Sequence, residues 1–207
     1  MDVFEAIRTT RAMRRLDPYK QVAESDIVRL VDAAMRGPNG GNTQPVRCVI
    51  VTDPDLKLRL GEIYRDCWNY FRGSYVDDST LAEQAQRVVR SGDHLGEHMG
   101  ESPVIIVVCA RDAHPASVYP GIQNLLLAGR ALGLGTTLTT VHTRREEDVR
   151  RLLGIPGDVK TYALIPVGYP TGRWGEAPRR PVDEVTYWNG WRVMRGSSEQ
   201  AADSVSR

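Results

Sequence analysis

Apolar positions along the chain change period several times, and each change marks an element. Val3, Ala6 and Ile7 share one side of a short helix over 2–9. Ile27, Leu30, Val31 and Ala34 recur at helical spacing behind an acidic first turn, predicting a helix over 24–36. Gly37-Pro38-Asn39-Gly40-Gly41-Asn42 breaks that pattern, and a strand over 47–52 follows, ended by Asp53-Pro54. Helices are predicted over 55–70 and 80–99, separated by Gly73-Ser74 and Asp77-Asp78-Ser79. The PVIIVVC run over 103–109 reads as a central strand covered on both faces. A helix over 117–132, with Ile122, Leu125, Leu126, Ala128 and Leu132, is apolar around most of its surface and is expected to pack against a second subunit. Gly133 and Gly135 end it. A β-branched strand over 136–141, a charged helix over 144–153 closed by Gly154, and a last core strand over 161–167 complete the pattern. Gly168-Tyr169-Pro170 then opens an arm rich in Gly, Pro and Arg that carries Trp174, Trp188 and Trp191.

Strands and helices mix without strict βαβ alternation, so the fold class is α+β, one sheet with helices on both faces. Residues 1–190 are expected to form one domain with 66–100 as a lid or insert, and 191–207 a polar, disordered tail. There are no internal repeats.

Composition narrows the function. Basic and acidic residues number 27 and 26, a net charge of +1, which gives no bulk attraction to nucleic acid or to an anionic membrane. The basic side is lopsided, with lysine only at 20, 57 and 160 against 24 arginines. Arginine suits bidentate contact with phosphate or carboxylate, so its clusters matter more than its total. Cys48, Cys67 and Cys109 share no CxxC spacing, so no disulfide framework or zinc knuckle is indicated. No run of 18 apolar residues and no signal-peptide core is present, and a cytoplasmic, reducing setting is expected.

Three segments carry candidate chemistry. Arg8, Arg11, Arg14 and Arg15 lie within eight residues just after a helix, an arrangement suited to clamping a phosphate or to forming a solvated basic turn. Arg179-Arg180 could converge on the same anion. The Pro38–Pro45 turn carries Asn42 and Gln44, whose amides offer the paired donors and acceptors that an aromatic heterocycle with imide edges needs. Gly133-Leu134-Gly135-Thr136, with Thr137–Thr140, has nothing bulky and would let a flat ligand lie against backbone, yet lacks the third glycine of a dinucleotide fingerprint. His94 and His98 stand one helical turn apart without a third metal ligand, so no metal is assigned. No serine has the GxSxG context of acyl transfer, Cys67 beside Trp68 is a weak candidate thiol, and no P-loop occurs.

Taken in order, Arg11-Ala12-Met13-Arg14, the Pro38–Pro45 turn, Gly133–Thr136, Gly168-Tyr169-Pro170 and Arg179-Arg180-Pro181 resemble the signatures of the nitroreductase family of FMN-dependent oxidoreductases over about residues 2 to 188. The family patterns are an RRS-x-R-like opening, PSxxNxQP, a GLGT-type turn, GYP and a basic C-terminal residue or pair. This chain departs from them with Thr10 for the first arginine, Ala12 for serine, Asn39-Gly40 for two serines, and Val46 for a common tryptophan.

The resemblance implies a nitroreductase-like fold with a central mixed sheet, a long dimer-interface helix, an extended C-terminal arm, and a homodimer holding two FMN molecules at its interface. It places Arg11, Ala12, Met13 and Arg14 at the FMN phosphate and ribityl end, with Arg179 or Arg180. Pro38, Asn39, Gly40, Asn42 and Gln44 would line the isoalloxazine ring, and Leu138, Thr139 and Thr140 would set a backbone or hydroxyl donor near flavin N5. Asn69 and Arg72 would reach the pyrimidine edge across the interface from the other subunit. Hydride would pass from NADH or NADPH to flavin N5 and on to a small aromatic acceptor, nitroaromatic or quinone, by turns in one site, so the protein needs no catalytic residue of its own. A lid over 66–100, with Trp68, Tyr70, Phe71 and Tyr75, would set acceptor choice. The alternatives are a flavin dehalogenase or specialised dehydrogenase of the same family, with Asp77, Asp78 and Glu83 as candidate acids, or a flavin-binding protein without turnover.

Overall fold

The computed structural model describes residues 1–73 and 82–195, in two compact units, Met1–Glu176 and Ala177–Arg207. Tyr75, Asp77 and Asp78, and the tail from 196 onward, lie outside the described residues.

The first unit is built on a four-stranded sheet of order β1-β2-β4-β3, from β1 (Val46–Val51), β2 (Val104–Arg111), β3 (Gly135–Thr136) and β4 (Val159–Gly168). Its ladders run antiparallel, with Ile106 opposite Ile50 on one side and Ile165 on the other. The parallel component is the single bridge between Ala12 and Thr136. The central strand β2 is buried from Val104 to Ala110, and its alternation supplies two cores. Val104, Ile106, Val108 and Ala110 pack with α2 (Glu24–Met35) and α5 (Tyr119–Ala131) through Ile27, Leu30, Ala34, Ile122 and Leu125. Ile105, Val107 and Cys109 pack with α3 (Pro54–Arg72), α4 (Glu83–His98) and α6 (Glu146–Leu153) through Leu60, Tyr64, Leu95 and Val149. Each fully buried Val, Ile or Leu side chain contributes about 1.5–3 kcal/mol, so a run of seven buried residues makes β2 the anchor of both layers.

The helix ends follow local chemistry. Asp53 caps α3, accepting from the Leu56 amide at 2.9 Å, with Pro54 at the first helical position. Helix α6 has three acidic residues in its first turn, two arginines in its last, and stops at Gly154 with φ 66°.

One predicted element is corrected. The strand expected over 136–141 ends at Thr136. Thr139 makes an isolated bridge to Leu164, and Val141–Arg145 winds into a 3-10 turn. The β-branched composition suits a strand, but the threonine hydroxyls bond elsewhere: Thr137 donates to the Met13 carbonyl at 2.9 Å, and Thr139 accepts from the Val141 amide at 3.4 Å. The second unit contains a 3-10 turn over Val182–Val185, and in it the Tyr187 and Trp191 rings meet edge to face at 4.8 Å.

Within the Val141–Arg145 turn, His142 is fully buried. Its Nε2 lies 2.9 Å from Thr161 Oγ1, which lies 3.1 Å from Glu146 Oε1. The carboxylate can only accept, so Thr161 donates to Glu146 and accepts from His142 Nε2–H. Nδ1 is left as a bare acceptor with no partner. Burial holds the imidazole neutral, with a pKa of about 4. Below the ordinary histidine pKa the unfolded chain therefore takes up a proton that the fold refuses. Stability falls as pH drops from 6.5 toward about 4, and this group accounts for up to about 3 kcal/mol of the loss. His142→Gln is expected to flatten that part of the profile in urea unfolding between pH 7.5 and 4.5. An unchanged slope would place the proton uptake elsewhere.

Candidate active site

The arginine cluster begins at Arg8 in the last turn of α1 (Val3–Thr9) and runs on past it, where its backbone is tied to the edge of the sheet. The Met13 amide donates to the Thr136 carbonyl at 3.0 Å, and the Thr137 hydroxyl donates back to Met13 O. One step further on, Asp17 N donates to Tyr169 O at 2.8 Å, and Leu16 bridges to Pro170. Three of the five sequence motifs, at 11–14, 133–140 and 168–170, thus form one continuous wall. Met13 is buried in it, while Arg11 and Ala12 are exposed.

The four arginines have different surroundings. Arg8 sits 3.7 Å from Glu176, an exposed pair of little energetic weight. Arg14 is half-buried, donates to Ser91 Oγ at 3.2 Å, and has its pKa lowered by burial. Arg15 lies 3.2 Å from His94 Nδ1. Because a guanidinium only donates, His94 accepts there and is neutral with its proton on Nε2. Burial, followed by the Arg15 charge, holds its pKa down. Thr10, which stands in place of an arginine, spends its hydroxyl on Ala6 O at the end of α1.

Along the 137–140 turn, Thr139 is locked by its backbone. Its amide donates to Leu164 O at 3.1 Å and its carbonyl accepts from Leu164 N at 2.9 Å. Of the donors expected of Thr139, the backbone N–H is therefore committed and the hydroxyl remains. That hydroxyl lies 3.2 Å from the buried Tyr64 hydroxyl. Burial raises the Tyr64 pKa, while the Thr139 bond and the positive charge of Arg14 pull it down. Leu138 is half-buried and Thr140 exposed.

The Pro38–Gln44 loop is not brought against this wall. Gly40 N donates to Ser117 Oγ at 3.1 Å, just before α5, whereas Arg130 near the other end of α5 donates to Thr9 beside the arginine cluster at 2.8 Å. Thirteen residues of helix span about 20 Å, so the loop and the clamp sit at opposite ends of α5. Asn39 is spent on the loop itself, donating to Gly37 O and accepting from Gln44 N at 2.9 Å. Asn42 and Gln44 take left-handed φ values of 52° and 47°, and Pro38, Gly40, Asn42 and Gln44 are exposed. The loop borders a cavity of about 670 Å³, whose rim includes Thr43, Arg47, Arg111 and His114.

Helices α3 and α4 brace the clamp from behind. Asp93 Oδ1 accepts from Trp68 Nε1 and Arg72 Nε, both at 2.8 Å, and the Trp68 indole lies in a groove made by Gly92 and Gly96. The glycine that weakens α4 by propensity is therefore a seat for an aromatic ring. Asn69 is exposed on the neighbouring surface and borders a 320 Å³ cavity with Arg72. Cys67 is fully buried and its thiol is pushed up by burial, the opposite of an activated nucleophile. His98 Nδ1 lies 3.0 Å from Glu101. Arg179 and Arg180 are exposed in the second unit, where Arg179 donates to Pro178 O at 2.9 Å. Tyr64, Ser91 and the arginine contact of His94 escape a reading by motif. A hydroxyl on the apolar stripe Leu60, Tyr64, Cys67 is the signal for the first, since a buried phenol needs a partner.

Known proteins resemble this chain over most of its length. The model of the family described as the nitroreductase family matches residues 7–169. A Methanothermobacter thermautotrophicus protein provisionally named NADH dehydrogenase/NAD(P)H nitroreductase is 29% identical over 181 residues, covering 82% of this chain and 78% of its own. Iodotyrosine deiodinase of Thermotoga neapolitana is 28% identical over 191 residues, covering 87% and 95%. A crystal structure of oxidized iodotyrosine deiodinase bound to FMN and 3-iodo-L-tyrosine superposes with a TM-score of 0.76 at 22% identity, over 92% of this chain and all of that one.

The brace generates a test. A Cβ on Gly92 would stand 2.2 Å from the Trp68 ring, which the Asp93 bond prevents from turning freely. Gly92→Ala should cost about 1–3 kcal/mol and red-shift the Trp68 fluorescence. An unchanged Tm and spectrum would mean that the groove is not closed in solution.

Proposed function

The chain belongs to the nitroreductase family, and from that premise we propose that it is an FMN-dependent oxidoreductase that carries reducing equivalents from NADH or NADPH to a small nitroaromatic or quinone acceptor. The observation that carries this reading is the wall formed by 11–14 and 137–140, in which guanidinium donors and threonine hydroxyls lie along one stitched backbone. Its donor set fits the group. Arg11 and Arg14 suit a phosphate dianion, Ala12 and the exposed backbone beside it leave room for a ribityl chain, and the exposed Thr140 supplies the turn's open hydroxyl for the ring. Arg179 or Arg180 adds a cation in this reading.

The same reading makes the active form a homodimer. Pro38, Asn39, Gly40, Asn42 and Gln44 lie about 20 Å along α5 from the clamp, so a ring held by both needs the loop of a second copy. Half-buried Leu126 and Leu127 on α5, with exposed Val3, Phe4 and Ile7 on α1, supply apolar surface for that contact. When bound, FMN supplies the redox chemistry, accepting a hydride from the nicotinamide and delivering reducing equivalents to the second substrate in turn. The chain's own residues bind, orient and stabilise charge. The half-buried Arg14 guanidinium offers positive charge to the bound anion. The reading places the protein in the cytoplasm, without nucleic acid or membrane as partner. Among the described residues no helix is long and apolar enough to cross a membrane.

Similarity to iodotyrosine deiodinase over 87% of the chain favours one second reading, reductive removal of halide from a halotyrosine. It is tested by offering 3-iodo-L-tyrosine to the reduced protein and measuring iodide.

The purified protein should be yellow, or become so with FMN, and should bleach anaerobically with NADH or NADPH. Colourless protein that takes up no FMN would overturn the proposal, and yellow protein that neither nucleotide bleaches would leave a flavin carrier instead. Arg11→Ala should weaken FMN binding about 10- to 100-fold in fluorescence titration. Undiminished affinity would place the phosphate elsewhere.

A further inference from the structure

The cavity of about 670 Å³ beside the Pro38–Gln44 loop has the size of a site that takes a whole small molecule, roughly 300–1,000 Å³. Antiparallel pairing of Val46 with Ala110 sets the start of β1 against the end of β2 and brings Arg47 and Arg111 to its lining. His114 and Ser117 join them from the turn that leads into α5. Arg47 Nη1 donates to the Gln44 and Val46 carbonyls, both at 2.8 Å, which spends its two protons. The fork of Nε–H and Nη2–H, the parallel pair that matches a carboxylate, is left over. Among the described residues no acidic group pairs with this guanidinium. Ser117 Oγ accepts from the Gly40 amide at 3.1 Å, and its own proton has no acceptor among the described residues. His114 Nδ1 accepts from the Ala116 amide at 3.2 Å, which puts the proton of the neutral ring on Nε2. Both directions are fixed by backbone N–H groups, which only donate. Arg111 is held through Nε by Asp158, 2.8 Å away, and Asp112 is the one acid on the lining, paired with neither arginine.

We infer that this cavity is the subsite for the anionic group of the second substrate, with Arg47 as its anchor, so that the acceptors taken best are small aromatic acids. The inference rests on the FMN reading above and deepens it, because Gly40 and Thr43 of the loop that would line the ring also line the cavity. Arg47 connects the two. The guanidinium that would hold the acid is bonded to the backbone of that loop, so an acid bound there has its aromatic ring beside the loop.

The experiment uses the FMN-loaded protein. Binding of benzoate and of benzamide, its neutral counterpart, is followed by the flavin absorbance change. Reduction of 4-nitrobenzoate and of 4-nitrobenzamide is then compared in steady state. Benzoate should bind about tenfold more tightly than benzamide, an advantage that shrinks as salt is raised. Arg47→Gln should remove most of that advantage, and Arg111→Gln part of it. Asp112→Asn should enlarge it, asparagine being at ease with the φ of 43° at that position. The preference for 4-nitrobenzoate over 4-nitrobenzamide should move with it, through KM rather than kcat. A wild-type chain that takes up no FMN overturns the FMN reading and this inference together. FMN-loaded protein that binds benzoate and benzamide equally overturns this inference alone. So does an Arg47→Gln variant that weakens both alike, since Arg47 would then only brace the loop. A rise in KM for NADH or NADPH with the benzoate advantage intact also overturns it, because the anion would be the nucleotide's phosphate.

Discussion

A pair of hydrogen bonds between Met13 and the Thr136–Thr137 corner organises the candidate site. They fasten a basic segment from the start of the chain to the edge of a sheet whose strands come from its middle and end. That fastening ends β3 after two residues, because the outer side of Thr136 is taken by Ala12 rather than by another strand. It buries Met13, turns Arg11 and Ala12 outward, and brings Arg14 to Ser91. Without it the arginines would be a solvated turn, since a net charge of +1 gives them no collective role.

The layers behind this corner explain why it can be held still. Strand β2 feeds alternate side chains to two cores, so α3 and α4 pack on one face while α2 and α5 pack on the other. The α3–α4 face carries the polar contacts. Asp93 ties Trp68 and Arg72 to α4, and α4 in turn offers Ser91 and His94 to Arg14 and Arg15. The α2–α5 face sets the distance. Helix α5 has the Pro38–Gln44 loop at one end and the arginine clamp at the other. A site that uses both ends of a 20 Å rod cannot close within one copy.

Much of this was legible in the chain. The unbroken apolar run at 103–109 and the largely apolar helix over 117–132 announce themselves, because burial on two faces leaves no polar residue to interrupt the pattern. Motif order singled out the arginine segment and the Thr136–Thr140 corner, which the fold joins at Met13. The strand over 136–141 was misread because β-branched propensity cannot reveal that threonine hydroxyls are drawn to Met13 and Val141 from outside the sheet. Gly96 weakens a helix by propensity, and nothing local says that an indole 28 residues earlier fills its groove. His142 and Tyr64 stayed hidden for the same reason. Each is a polar group on an apolar stripe, and its meaning depends on a partner, Thr161 or Thr139, supplied by another part of the fold.

The central claim is that one FMN is held by the clamp of one copy and the Pro38–Gln44 loop of another. Mixed dimers test it most directly. One chain carries Arg11→Ala with Arg14→Ala, the other Gly40→Trp, a position where a Cβ meets nothing nearer than Ser117 Oγ at 3.6 Å, the indole being placed to block the flavin face. Each variant alone should purify without FMN. Co-refolded mixtures should regain FMN, because in a mixed dimer one of the two sites combines an intact clamp with an intact loop. Mixtures that form dimers and still hold no FMN would contradict the shared site.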